Sequence, residues 1–186
     1  MAALRERLSW QAADGAVVDG PRRYLLMRPD VLMGALLRLD EPARGAWLGA
    51  VAESARVQGR ESLAAYAAAA GHDSTRLLEA TAGAAADLGW GRWVFTRAAA
   101  GPDDVLHLEV HSSPFAAGWR AAGGGTAVQP VCAPVHGMLA ALAGLLWPGR
   151  PVQVHEHHCS AACQPPGEPC MFEARPGGPA QPPERL

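Results

Sequence analysis

The sequence contains no lysine, so its 16 basic side chains other than histidine are all arginines. Together with 18 acidic residues they give a formal net charge of −2 and an isoelectric point near 6.4. Proteins that bind nucleic acid or an anionic membrane carry a basic patch, and no such patch is visible in this sequence. We therefore expect neither nucleic acid nor membrane among the partners, and we attribute the absence of lysine to base composition.

Long apolar segments are missing as well. No stretch of about 18 residues is free of charges or of Pro and Gly clusters, as a membrane-spanning helix requires. The first ten residues, MAALRERLSW, lack the apolar run of a signal peptide. We therefore expect a cytoplasmic location, where cysteines serve metal or redox chemistry more often than disulfides.

Recognisable catalytic fingerprints are also absent. The chain has no Gly-x-Gly-x-x-Gly segment after a strand, no ATPase signature and no recognisable DNA-binding helix pair. These absences argue against an autonomous reductase and leave open whether the chain is an enzyme at all. If it is a sensor, its output must pass through another protein.

Four cysteines, all in the last third of the chain, are the most informative feature of the sequence. Cys132 precedes an apolar run of helical length, whereas Cys159, Cys163 and Cys170 follow a β-like run that contains Glu156, His157 and His158. Zn²⁺ accepts thiolate, imidazole and carboxylate donors in a tetrahedral shell, so a fold that brings these segments together would form a metal site. The alternatives are scattered thiols or a disulfide pair.

Hydrophobic periodicity predicts a single α+β domain with an antiparallel sheet packed against a helical layer. A length of 186 residues fits one such domain. Helices are expected over residues 30–39, 41–57, 60–70, 75–88 and from Cys132 to about 147, with Gly59 as a break. Strands are expected over residues 22–28, 90–96, 105–111, 152–158 and 169–175, and residues 116–125 are expected to form a flexible loop.

A resemblance to a known family follows from the order cysteine, helix, strand, Glu-x-x-Cys, Pro- and Gly-rich turn, and Cys-x-Phe. Upstream, Val-His-Ser-Ser-Pro-Phe-Ala at residues 110–116 extends the match. The chain resembles the 4-vinyl reductase domain family, which is similar to the ligand-binding domains of aromatic-sensing bacterial activators. The resemblance implies a zinc ion held by Cys132, Glu156, Cys159 and Cys170, and a homodimer that uses the N-terminal region. It covers a ligand-binding domain (22–175) and leaves an N-terminal arm (1–21) and a tail (176–186), which we expect to be disordered because it is rich in Pro and Gly.

The sequence departs from the family pattern in the cysteine loop. Between Cys159 and Cys170 the loop is longer than is usual and contains Cys163, which is therefore an alternative third ligand. Strict alternation along a strand would place Glu156 and Cys159 on opposite faces, so a shared metal requires the strand to end or bulge near His157.

These features favour a zinc-binding domain that binds a small aromatic or tetrapyrrole-like molecule, as a sensor or a substrate carrier. An enzyme or enzyme accessory acting on such a molecule is the second hypothesis, and a protein–protein adaptor is the third. The six candidate ligand-binding residues are aromatic or imidazole side chains near one predicted hairpin, and for the aromatic ones ordinary core packing is the competing explanation. They are His111, His107, Trp90, Trp93, Phe115 and Trp119, with His111 as the proposed polar anchor.

Overall fold

The computed structural model describes residues 3–98, 104–163 and 167–177. Its N-terminal part contains, in order, α1 Leu4–Arg7, β1 Ser9–Gln11, β2 Ala16–Asp19, β3 Arg22–Tyr24, α2 Pro29–Leu37, α3 Glu41–Ala69 and α4 Ser74–Asp87. The C-terminal part contains β4 Arg92–Ala98, β5 Val105–His111, α5 Pro114–Ala121, α6 Ala133–Leu146, β6 Val152–His158 and β7 Cys170–Pro176. Of the predicted tail, residues 178–186 lie outside the described residues.

A small sheet of three antiparallel strands, in the order β1-β2-β3, precedes the helices. Residues with positive φ at Gly15 and Gly20 form the turns that connect its strands. The sheet crosses the expected division at residue 22, because β3 pairs with β2 through Val18 and Arg23.

The main sheet has four antiparallel strands in the order β4-β5-β7-β6. Along β5 the side chains of Leu106, Leu108 and Val110 are buried, whereas the alternate residues between them are half-buried or exposed. One face of the sheet therefore packs on the helices and the other faces outward, as an alternating antiparallel strand requires. The prediction of an α+β fold with an antiparallel sheet against a helical layer is confirmed.

Helix α3 runs without interruption from Glu41 to Ala69, so the predicted break at Gly59 is wrong. A Cβ built at Gly59 would lie 2.2 Å from the Met138 sulfur of α6. The glycine therefore lets two helices approach closely, and the packing that this allows outweighs its poor helix propensity. Asp40 begins the helix by accepting a hydrogen bond from the Ala43 N–H.

Helix α5 replaces the flexible loop that was predicted from residue 116. Ser113 caps it by accepting a hydrogen bond from the Ala116 N–H at 3.5 Å, and Pro114 occupies its first turn. Its apolar side chains, Phe115 and Trp119, are buried against the rest of the core. The three glycines that suggested a loop begin only after the helix ends, at residue 123.

None of the helices in the described part of the chain combines the length and the apolar content needed to cross a bilayer.

Candidate metal centre

Four donor groups converge at one end of the main sheet. Cys132 lies at the N-terminus of α6, Glu156 lies on β6, Cys159 directly follows β6, and Cys170 is the first residue of β7. Each of these residues offers one ligand atom, and the four atoms all lie within 4.8 Å of one another. The fold thus gathers residues that are up to 38 positions apart in the chain.

A bulge in β6 makes this convergence possible. Glu156 lies opposite Phe172 of β7, but the next pair in the register is His158 with Met171, which leaves His157 as an extra residue. Glu156 faces the core by ordinary alternation, because Val154 and Glu156 lie opposite the buried Ala174 and Phe172. The bulge after Glu156 resets the alternation, so that Cys159 returns to the same side. The irregularity that the sequence required near His157 is present.

The three thiols are almost inaccessible: Cys132 and Cys170 are 0% exposed and Cys159 is 3% exposed. The sulfurs of Cys132 and Cys170 are 3.6 Å apart, and neither cysteine forms a disulfide. Two thiolates bound to one zinc are separated by about 3.8 Å, given Zn–S distances of about 2.3 Å. The spacing therefore fits a tetrahedral metal site.

Hydrogen bonds support a thiolate at Cys170. The Ser160 N–H donates to the Cys170 sulfur at 3.3 Å, and the Ser113 hydroxyl lies 3.2 Å from the Cys132 sulfur. Hydrogen bonds from Cys132 and Cys159 lower the pKa of Cys170, and the contacts with Ser160 lower it further. These contacts favour the thiolate form of Cys170 over the thiol.

The pKa values of the other three groups are raised, which disfavours their charged forms. Burial raises the pKa of Glu156 to about 8, and repulsion from Cys170 adds to this effect. Hydrogen bonds to Cys159 and Cys170, together with burial, raise the pKa of Cys132. For Cys159, the hydrogen bond with Cys132 lowers the pKa. The hydrogen bond with Cys170, burial and the charge of Glu156 have the opposite effect and outweigh it, so the pKa of Cys159 rises to about 12.

The residues present fit a divalent cation. The Glu156 Oε1 atom is buried and has no hydrogen-bond partner, which is costly unless another group satisfies it. Three thiols and one carboxylate form a four-donor set of the kind that structural zinc sites use. A divalent cation bound by Cys132, Glu156, Cys159 and Cys170 would favour the ionised thiols, offset half of the negative charge of the four ionised donors, and tie α6, β6 and β7 together.

Cys163, the alternative third ligand, lies outside this cluster. It is half-buried in the turn after Cys159, where the Ala162 N–H donates to the Cys159 carbonyl. The structure therefore places Cys159, and not Cys163, beside Cys132 and Cys170. Of the predicted turn that follows, residues 164–166 fall outside the described residues.

The six residues predicted to bind a ligand lie on two sides of the main sheet. Trp93 is buried on the helix side, opposite Val110, and its indole N–H donates to the Trp90 carbonyl. Trp90 packs edge-to-face on Phe115, with ring centroids 5.5 Å apart. These aromatic rings therefore pack within the core.

Trp119 also has its polar atom satisfied within the chain. Its indole N–H donates to the Gly125 carbonyl at 2.7 Å, and the Arg44 guanidinium lies over its ring. His107 and His111 instead lie on the outward face of β5, where the His111 Nε2 is 3.1 Å from a Glu109 carboxylate oxygen. The sheet thus separates the two histidines from the buried aromatic rings.

A cavity of about 310 Å³ lies beside the metal centre, in a place that the sequence did not indicate. Helices α3 and α6 and the edge strand β6 surround it, and its lining comprises Leu48, Gly49, Ala52, Pro130, Ala133, His136, Val154, His155 and Glu156. His136 stands four residues after Cys132, one helical turn along α6, and its Nε2 is 3.2 Å from the Val154 carbonyl. That spacing was the only signal in the sequence that could have identified it.

Comparison with known proteins supports the fold. No protein-family model matches the chain, and no curated protein does. Among solved structures, the chain is similar to the phenol-responsive sensory domain of the transcription activator PoxR, in its crystal structure with phenol. The TM-score is 0.73 at 21% sequence identity, and the match covers 93% of this chain and 86% of that chain. The predicted similarity to an aromatic-sensing activator domain is thereby confirmed at the level of the fold.

Proposed function

We propose that this chain is a zinc-stabilised domain of the 4-vinyl reductase type that binds a small aromatic molecule and acts as a sensor. The observation that carries the proposal is a buried cluster of three cysteines and one glutamate at the wall of an open cavity. The fold shared with a sensory domain that responds to phenol supports it. The ligand named in that structure defines the class of compounds to test first.

Glu156 connects the two parts of this proposed site. It belongs to the cysteine cluster, and it also lines the cavity between α3, α6 and β6. The cavity is lined mainly by apolar side chains, and His136 supplies a hydrogen-bonding group suited to a phenolic hydroxyl. A ligand in this cavity would contact α6 and β6, whose relative position the metal centre holds.

Two further parts of the proposal concern the assembly. We propose a homodimer formed through the N-terminal region, where Leu25 and Leu26 are 78% and 69% exposed. We also propose that the signal passes to a downstream protein. Four free thiols suit the reducing cytoplasm, where we expect this domain to work.

Metal analysis tests the zinc proposal. Protein purified without added metal should contain one zinc per chain, and Cys170→Ser should lose it together with several kcal/mol of stability, because metal binding is coupled to folding. The matched control is Cys163→Ser, which should keep both the zinc and the melting temperature. Equal metal loss in the two variants would show that Cys163 is a ligand and that the assignment is wrong.

Calorimetric titration with phenol tests the cavity. We expect saturable binding that His136→Ala weakens by about tenfold, since a hydrogen bond lost from a largely apolar site costs about 1.5 kcal/mol. His111→Ala, on the opposite side of the sheet, should bind as the unmodified chain does. If only His111→Ala weakens binding, the pocket predicted from the sequence is the correct one. Binding by neither phenol nor larger aromatic compounds would contradict the sensor function.

A further inference from the structure

The outward face of the main sheet carries a row of metal-binding side chains that the cysteine cluster does not use. His155 of β6 lies directly opposite Glu173 of β7, and Glu173 lies directly opposite His107 of β5. Residues opposite each other in an antiparallel sheet have Cβ atoms about 4.5–5.5 Å apart. Two imidazoles therefore flank one carboxylate across three strands.

Alternation along β6 adds a third imidazole to this row. His157 stands two residues after His155, so its side chain faces outward together with His155, and the ring centroids of the two are 4.6 Å apart. The His157 Nε2 atom lies 3.4 Å from a Glu173 carboxylate oxygen. Consecutive residues of β6 thus serve opposite faces of the sheet: Glu156 belongs to the cysteine cluster, and His157 lies beside the Glu173 carboxylate.

The charge state of Glu173 suits a ligand. The hydrogen bond from the Arg175 guanidinium lowers the pKa of Glu173, and the nearby His157 and His107 act in the same direction. Imidazole and carboxylate are the donors preferred by borderline divalent ions such as Zn²⁺, Ni²⁺, Cu²⁺ and Co²⁺. Softer ions would favour the thiols on the opposite face.

We propose that His155, His157 and Glu173, with His107 as an additional donor, form a second divalent-metal site on the outward face. Among the described residues only the cysteine cluster already has its donor atoms converged within 4.8 Å. The donors on the outward face converge on the half-buried Glu173 by rotation of the exposed histidine side chains, so the second site binds more weakly than the buried one and exchanges its metal with solvent.

The position of the site leaves room for a further ligand on the metal. A cavity of about 240 Å³ on the same face is lined in part by His107, Glu109, His157 and Met171. Three or four protein donors do not complete the coordination shell of Ni²⁺ or Cu²⁺, whose remaining positions would face this cavity. Water or a small anion would occupy them.

Titration with Ni²⁺ tests this proposal on the whole chain with its cysteine cluster loaded with zinc. Isothermal titration calorimetry should show one Ni²⁺ per chain in addition to the zinc. The double variant His155→Ala/His157→Ala should weaken this binding by at least about tenfold. His72→Ala, which removes an exposed histidine elsewhere, and Cys163→Ser, which removes the half-buried thiol, should leave the affinity unchanged.

Glu173→Gln, which keeps the shape of the side chain, supplies a second variant should the double substitution disturb the sheet. It should also weaken Ni²⁺ binding, while circular dichroism shows an unchanged fold. The proposal is overturned if the unmodified chain takes up no Ni²⁺ beyond the zinc. It is equally overturned if Glu173→Gln binds normally, or if Cys163→Ser abolishes binding. Glu173 belongs neither to the cysteine cluster nor to the lining of the phenol cavity, so the result for Glu173→Gln is independent of both.

Discussion

Asp104 shows at the scale of one residue how a buried charge joins separate elements. Its side chain is 6% exposed and accepts hydrogen bonds from the Arg97 guanidinium of β4 and from the Trp147 indole N–H at the end of α6. The bond from Arg97 lowers the pKa of Asp104 and outweighs the opposing effect of burial. The carboxylate therefore stabilises the fold in its charged form.

Asp104→Asn should lower the free energy of unfolding at neutral pH by about 2 kcal/mol, because it removes the charge from these hydrogen bonds. A carboxyl whose pKa is lower in the folded chain stabilises the fold above its ordinary pKa, and the effect is lost as the pH falls through the folded value. The difference between the two proteins should therefore shrink below about pH 4. Urea melts from pH 7 to pH 3 would measure it, and a constant difference would contradict the role of charge.

At the scale of elements, helix α6 depends on how closely it approaches α3. A Cβ built at Gly137 would lie 2.0 Å from the Ala52 carbonyl oxygen, which belongs to the backbone and cannot move aside. A Cβ at Gly144, in the same helix, would meet nothing within 4 Å. Since Cys132 begins α6, this helix contact also positions the metal centre.

Gly137→Ala should destabilise the chain by about 1–3 kcal/mol, because it forces the two helices apart. Gly144→Ala is the matched control and should be neutral or stabilising by up to about 1 kcal/mol, since alanine favours the helix. Thermal melts with zinc content measured in parallel would separate the two. Similar melting temperatures for the two variants would mean that α3 and α6 are farther apart than the structure shows.

At the scale of the whole molecule, exposed apolar side chains concentrate near the N-terminal sheet. Leu25, Leu26 and Met27 connect β3 to α2 and are at least half exposed, and Trp10 of β1 is 67% exposed. A groove of about 420 Å³ beside the two leucines is lined in part by Val17 and Tyr24. Leucines next to an apolar groove suit a symmetric contact with a second copy.

Leu25→Asp/Leu26→Asp should convert the proposed dimer into a monomer, because it places charges in an apolar interface. Val128→Asp alters an equally exposed apolar residue, at 77%, away from this region and should leave the dimer intact. Sedimentation velocity at several concentrations would report the masses. A monomeric unmodified chain, or a double variant that still dimerises, would argue for a different assembly.

The local patterns of the sequence predicted much of the fold. The alternation of apolar and polar residues over Val105–His111 predicted a strand with one apolar face, and that strand is observed with the same bounds. Periodicity of 3.6 residues predicted most helices, and the donor types of the cysteine region predicted the chemistry of the cluster. These features depend on neighbouring residues alone, so they can be read before any tertiary contact is known.

Tertiary structure decided the features that depend on distant segments. The role of Gly59 in helix packing could be recognised only once Met138 was seen to lie against it. Trp93 and His111 lie on neighbouring strands, but their side chains face opposite sides of the sheet. His136 became a candidate only when α6 lay beside β6. The bulge at His157 is a further case: the sequence showed that a shared metal requires an end or a bulge there, and the pairing of β6 with β7 shows that a bulge returns Cys159 to the side of Glu156. Such directions are set by the pairing of β6 with β7, which no local pattern within either strand specifies.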